Sequence, residues 1–112
     1  MINNTQNTEI EKLKQEMRRG VIVLAAMSQL TEEQYGYSLI RSLSEKGLEI
    51  GQDTLYPLLR RLEQQELLES EWRVDGTRPR RYYRLNDTGL ALLEQLKAEW
   101  REQVKIIKEI IK

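Results

Sequence analysis

Hydrophobic and polar positions change period along the chain, and each change marks a new element. From Glu9 onward, Ile10, Leu13, Met17, Val21 and Leu24 recur every three or four residues, the spacing of one helix face. The run GVIVLAAM (20–27) is apolar all round, which predicts burial on several sides; the preceding half carries a single stripe. Residues 1–8 are polar and predict a disordered tail. TEEQYGYSLIRSLSEKG (31–47) reads as a turn and a second helix. Leu39, Ile40 and Leu43 form its apolar side, and Gly47 stands where a helix closes on a left-handed residue. In DTLYPLLRRLEQQ (53–65), a third helix, Leu55, Leu58, Leu59 and Leu62 share one side, while Pro57, Arg60, Arg61 and Gln64 point away. With Asp53 as N-cap, Pro57 falls at about the fourth helical position; a start at Gly51 sets it deeper.

Alternation then replaces the helical period. Leu68, Ser70, Trp72 and Val74 interleave with Glu69, Glu71 and Arg73 over 67–74, as on a strand with two unlike faces. DGTRPR supplies a turn and RRYYRL (80–85) a return strand, with Tyr82 and Tyr83 on opposite faces. NDTG (86–89) caps a last helix from about Leu90 to Ile111, whose stripe is Leu93, Leu96, Trp100, Val104, Ile107 and Ile111. At roughly 30 Å this helix is longer than a small domain can cover. The predicted fold is mainly α with a two-stranded β hairpin (α+β): a winged helix-turn-helix over 9–89, then a C-terminal dimerisation helix over 90–112.

Composition narrows the chemistry. At 112 residues the chain is one domain, and 39% hydrophobic against 32% charged residues favours a core completed by a second copy. Cysteine and histidine are both absent, which removes disulfides, the common zinc sites and the Ser-His and Cys-His catalytic pairs. No enzyme activity, metal or cofactor is expected. No apolar run approaches the ~20 residues of a membrane span, and the start lacks the pattern of a signal peptide, so a cytoplasmic protein without a membrane partner is expected.

Charge is balanced, with 18 basic and 18 acidic side chains, but unevenly placed. The stretch GTRPRRYYRL (76–85) holds Arg78, Arg80, Arg81 and Arg84 and no acid. In a winged helix-turn-helix the third helix enters the major groove of double-stranded DNA and presents side chains near its N-terminus. Gln52, Thr54, Tyr56 and Arg60 suit that role, since arginine and glutamine can each engage a base edge in bidentate fashion. Tyr37, beside the start of the second helix, joins them. Thr77, Arg78 and Arg80 on the wing suit phosphates or a narrow minor groove. Arg81 and Arg84 can instead pair with Glu69 or Glu71 across the hairpin. The pI near 6.4 is low for a nucleic-acid binder, which leaves a protein-binding adaptor as the alternative.

YGYSLIRSL (35–43), TLYPLLRRLEQQELL (54–68), RPRRYYRLNDTG (78–89) and the closing helix together resemble the PadR family of bacterial transcriptional regulators, over about residues 17–111. The single helix after the wing is similar to the smaller PadR subfamily. The resemblance implies a homodimeric, ligand-responsive repressor on an inverted-repeat operator, with Pro57 lying inside the third helix. The dimer residues it implies are Ile10, Leu13, Met17, Leu93, Leu96, Trp100, Val104, Ile107 and Ile111. By the same resemblance, Leu96, Trp100 and Val104 and their mates either pack together or hold a planar aromatic effector. Two positions depart from the family pattern: Glu66-Leu67 stands where glycine often follows the third helix, and Asp53 replaces a small residue before Thr54.

Overall fold

The computed structural model describes residues 4–112, apart from the side chain of Asp75. The described residues form, in order, α1 (Asn4–Gln29), β1 (Gln34–Tyr35), α2 (Gly36–Glu45), α3 (Gln52–Gln64), β2 (Leu68–Asp75), β3 (Arg78–Leu85) and α4 (Asp87–Ile111). This is the expected mainly helical winged fold, with corrections at its edges. The hairpin gains a third strand: β1 pairs with β3, Gln34 opposite Tyr83 and Tyr35 opposite Tyr82, so the antiparallel sheet runs β1-β3-β2. Residues 4–8, expected as part of a tail, are helical. They contain neither glycine nor proline to interrupt α1, and the Thr8 hydroxyl donates to the Asn4 carbonyl at 3.0 Å. Residues 1–3 lie outside the described residues.

Helix ends explain the connections. α2 stops at Gly47, whose φ of +97° lets Leu48 N–H donate to the Leu43 carbonyl at 2.9 Å and Gly47 N–H to that of Ser44 at 3.0 Å. α3 stops in the same way without a glycine. Glu66 adopts φ +60°, while Leu67 N–H donates to the Leu62 carbonyl at 3.0 Å. A left-handed conformation that would suit glycine is thus imposed here on a glutamate. Asn86 then caps α4, its Oδ1 accepting from Gly89 N–H at 2.8 Å and its Nδ2 donating to the Glu66 carbonyl at 2.7 Å.

The core gathers Met27 of α1 and Leu30 just past its end, Leu39 and Leu43 of α2, all four leucines of the α3 stripe, and Tyr83 and Leu85 of β3. Leu93, expected at a subunit interface, is only 2% exposed and completes this core instead. The first turns of α4 lie over β3 and α1, and only the later turns leave the body. That departure shows in the shape. The radius of gyration is 16.6 Å, against about 13 Å for a compact chain of this length. No helix among the described residues is long and apolar enough to cross a membrane.

Candidate nucleic-acid interface

α3 begins at Gln52 behind the N-cap Gly51, so Asp53 lies in the first turn instead of capping it. Pro57 is then the sixth helical residue of α3. It forgoes a bond to the Asp53 carbonyl, on an exposed face where water replaces the partner. Gln52, Thr54, Tyr56 and Arg60 are all exposed, outside the buried leucine stripe. In the first turn Asp53 faces the positive end of the helix dipole, where a carboxylate is favoured.

Tyr56 is held by its neighbour in space. A β-carbon on Gly36 would lie 2.4 Å from the Tyr56 Oη and 2.8 Å from its Cζ, so the ring rests directly on the glycine backbone. That glycine opens α2, whose first turn is fixed by Ser38: its hydroxyl accepts from Tyr35 N–H at 3.1 Å and donates to Gln34 Oε1 at 2.7 Å. Beside it Tyr37 is exposed, with the Arg41 guanidinium 4.9 Å from its ring centre.

The wing turns on two residues, Gly76 and Thr77, because Asp75 already pairs with Arg78. Gly76 has φ +66° and Thr77 is not in the left-handed region, the arrangement of a type II′ hairpin. Arg78 and Pro79, expected in the turn, therefore belong to β3. Pro79 lies beyond the short β1 pairing, where its missing N–H leaves no ladder bond unmade.

The four arginines separate by partner. Arg84 pairs with Glu69 across the hairpin at 3.1 Å, one of the expected pairs. Arg81 reaches past β2 to Glu63 on α3, and its Nε donates to Ser70 Oγ at 3.2 Å; Ser70 Oγ in turn donates to Glu63 at 2.6 Å. The acid expected for it was the wrong one, since residues far apart in sequence meet there. Arg80 stacks over the Tyr35 ring at 4.5 Å, and Tyr35 meets Tyr82 edge-on at 5.5 Å. Arg78 is exposed, with no ion pair among the described residues. A further tie escaped sequence reasoning: Arg73 grips Glu33 with both terminal nitrogens and also reaches Glu71, holding the Glu71 carboxyl below its ordinary range. Tyr83, buried, has its phenol pushed up by desolvation.

These elements enclose an open groove of about 620 Å³ that brings together Tyr37, Gln52, Tyr56, Arg78 and Arg80. Thr54 is not in it; it faces a second groove with Arg19 and Pro57. Arg60 and Thr77 flank the first groove without lining it. Far from this face, Leu96 lines an apolar hollow with Val23, Met27 and Leu92. Trp100, 46% exposed, and half-buried Val104 continue along α4 outside that hollow. Ile10, Leu13 and Met17 of α1 and Ile107 and Ile111 of α4 are exposed as well.

Comparison with known proteins agrees with this geometry. Residues 23–95 match the model of the transcriptional regulator PadR-like family. A solved PadR family transcriptional regulator from Eggerthella lenta is 40% identical and superposes with a TM-score of 0.90, covering 98% of each chain. Transcriptional regulator Rv3488 of Mycobacterium tuberculosis is 44% identical over 63 residues, 56% of this chain and 59% of that protein. An uncharacterized protein of Lysinibacillus sphaericus is 35% identical over 86 residues, 73% of this chain and 75% of the other.

Proposed function

The chain belongs to the PadR-like family of transcriptional regulators, and from that premise we propose that this DNA-binding regulator is a homodimeric, ligand-responsive repressor of an inverted-repeat operator. One observation carries the proposal. A single protomer joins an exposed recognition face to two long helices whose apolar stripes run on beyond the core and lie exposed there; Met17 is 79% exposed and Ile111 74%. Closing a second copy onto α1 and α4 buries both stripes and presents two α3 helices to successive major grooves, about one helical turn apart. Gln52, Tyr56 and Arg60 face base edges and backbone, while Thr77, Arg78 and Arg80 take flanking phosphates. The neutral net charge, which favoured a protein-binding adaptor, is compatible with a local basic face. Arg73, Arg81 and Arg84 are matched by acids of the same molecule, so the basic face is confined to a few side chains.

The half-exposed ring of Trp100, with Leu96 and Val104 along the same face, supports an effector site for a planar aromatic molecule between the two copies. Saturable quenching of Trp100 fluorescence by planar dyes in a Trp72→Phe background is the expected result. The decisive experiment is selection of binding sites from random duplex DNA. Enrichment of an inverted repeat with half-sites about 10 base pairs apart is expected; enrichment of a single asymmetric site would refute the dimeric reading.

A further inference from the structure

The wing has an apolar face that none of the roles above employs. Residues opposite each other in an antiparallel ladder share a face. Here Ser70 pairs with Tyr83, Trp72 with Arg81 and Val74 with Pro79. The base of this face is attached to α3 through Ser70, Arg81 and Glu63. Beyond that attachment the face is largely open: the Arg81 guanidinium lies 5.9 Å from the Trp72 ring centre, yet Trp72 is 64% exposed, Val74 73%, and Pro79 is exposed too. A tryptophan this exposed on a two-stranded tip leaves most of its apolar surface in water. The side chain also lines the groove that holds Gln52, Tyr56, Arg78 and Arg80.

We propose that Trp72, with Val74 and Pro79, forms an apolar shoulder that packs against the deoxyribose edge of the DNA backbone beside the stretch read by α3. The proposal rests on the DNA-binding reading and adds a contact of a different kind to it. Two features select DNA as the occupant over another protein. The shoulder reaches the recognition groove through Trp72 and Pro79. Arg78 and Arg80 alternate to the other face of the wing but line the same groove, and their charge complements the phosphates that flank each sugar. Apolar side chains working beside arginine and lysine at the minor groove are an established way for protein to grip a duplex.

The contact has a signature that phosphate contacts lack. An apolar contact displaces water without releasing counterions, so its loss weakens binding at every salt concentration by the same factor. Trp72→Ala is expected to reduce affinity for a duplex selected by the wild-type protein roughly ten-fold, about 1.4 kcal/mol, at unchanged salt slope. Arg78→Ala should lower the slope by about one. The side chain is exposed, so Trp72→Ala should keep the wild-type melting temperature. Trp72→Phe, which keeps a ring beneath Arg81, should lose less affinity than Trp72→Ala. As an independent readout, the chain has two tryptophans, and 5-fluorotryptophan labelling gives each a fluorine resonance. That of Trp72, identified by its loss in Trp72→Phe, should shift when the selected duplex saturates the protein. A selected duplex that leaves both the Trp72 resonance and the Trp72→Ala affinity unchanged overturns the shoulder alone. Failure to select any duplex overturns the DNA-binding reading and the shoulder with it.

Discussion

Gly36→Ala tests how Tyr56 is aimed. The added methyl would stand 2.4 Å from Oη, 2.8 Å from Cζ and 2.9 Å from Cε1 of that ring, about 1 Å inside ordinary contact. Two effects oppose each other. Replacing glycine by alanine in a helix ordinarily gains about 0.5–1 kcal/mol, whereas forcing a group into packed space costs about 1–3 kcal/mol. Tyr56 is partly exposed, so its ring can swing outward and shed most of that strain. Stability should therefore change by no more than about 1 kcal/mol, a shift of about 4 °C in melting temperature. DNA affinity should fall substantially, because the displaced ring enters the groove shared with Gln52 and Arg78. The assay is a double-mutant cycle on DNA binding with Gly36→Ala, Tyr56→Ala and the pair. Once the ring is gone the methyl has nothing to meet, so a coupling of about 1 kcal/mol or more is expected. Tyr56→Phe should not substitute for Tyr56→Ala, since the Cζ and Cε1 contacts persist without the hydroxyl. Additive effects would refute the reasoning.

Three other outcomes follow from the fold. Glu66→Gly should raise stability by about 0.5–1 kcal/mol in thermal melts, since the relief of left-handed backbone exceeds the extra freedom of an unfolded glycine. Leu13→Asp and Ile107→Asp, at sites exposed in one protomer, should each reduce the sedimenting species from twice 13.3 kDa to 13.3 kDa. Tyr83 makes stability pH-dependent on the alkaline side. Its folded pKa is raised, so above about pH 10 the unfolded chain releases a proton that the folded one keeps. Urea midpoints should accordingly fall as pH rises past 10 in the wild type, and by less in Tyr83→Phe.

The helices and the hairpin were legible because each repeats its pattern over many residues. Periodicity reports a face, however, not how far neighbours cover it. Trp72 lies on the face predicted with Leu68, yet that face leaves the body after Ser70. Leu93 lies on the stripe predicted for a partner, but the body still covers α4 at that level. β1 spans two residues, too few to alternate, and exists only because β3 offers it a ladder. The α3 boundary turned on whether Gly51 or Asp53 caps, a choice local propensity leaves open. Arg81 with Glu63 and Arg73 with Glu33 were illegible for a simpler reason: each joins elements whose relative placement only the fold determines.

Those two ion pairs and the β1 ladder tie the wing to α3 and to the segment leading into α2, so the proposed DNA-reading head would turn as one piece. In the proposed dimer, an effector between the C-terminal helices then has little purchase on the wing alone; its lever is the angle between heads. With half-sites about 34 Å apart, a tilt of about 6° carries one head roughly a base-pair step out of register. The regulator would act as a caliper whose jaws are stiff and whose hinge is remote, sensing its signal as a change of gauge.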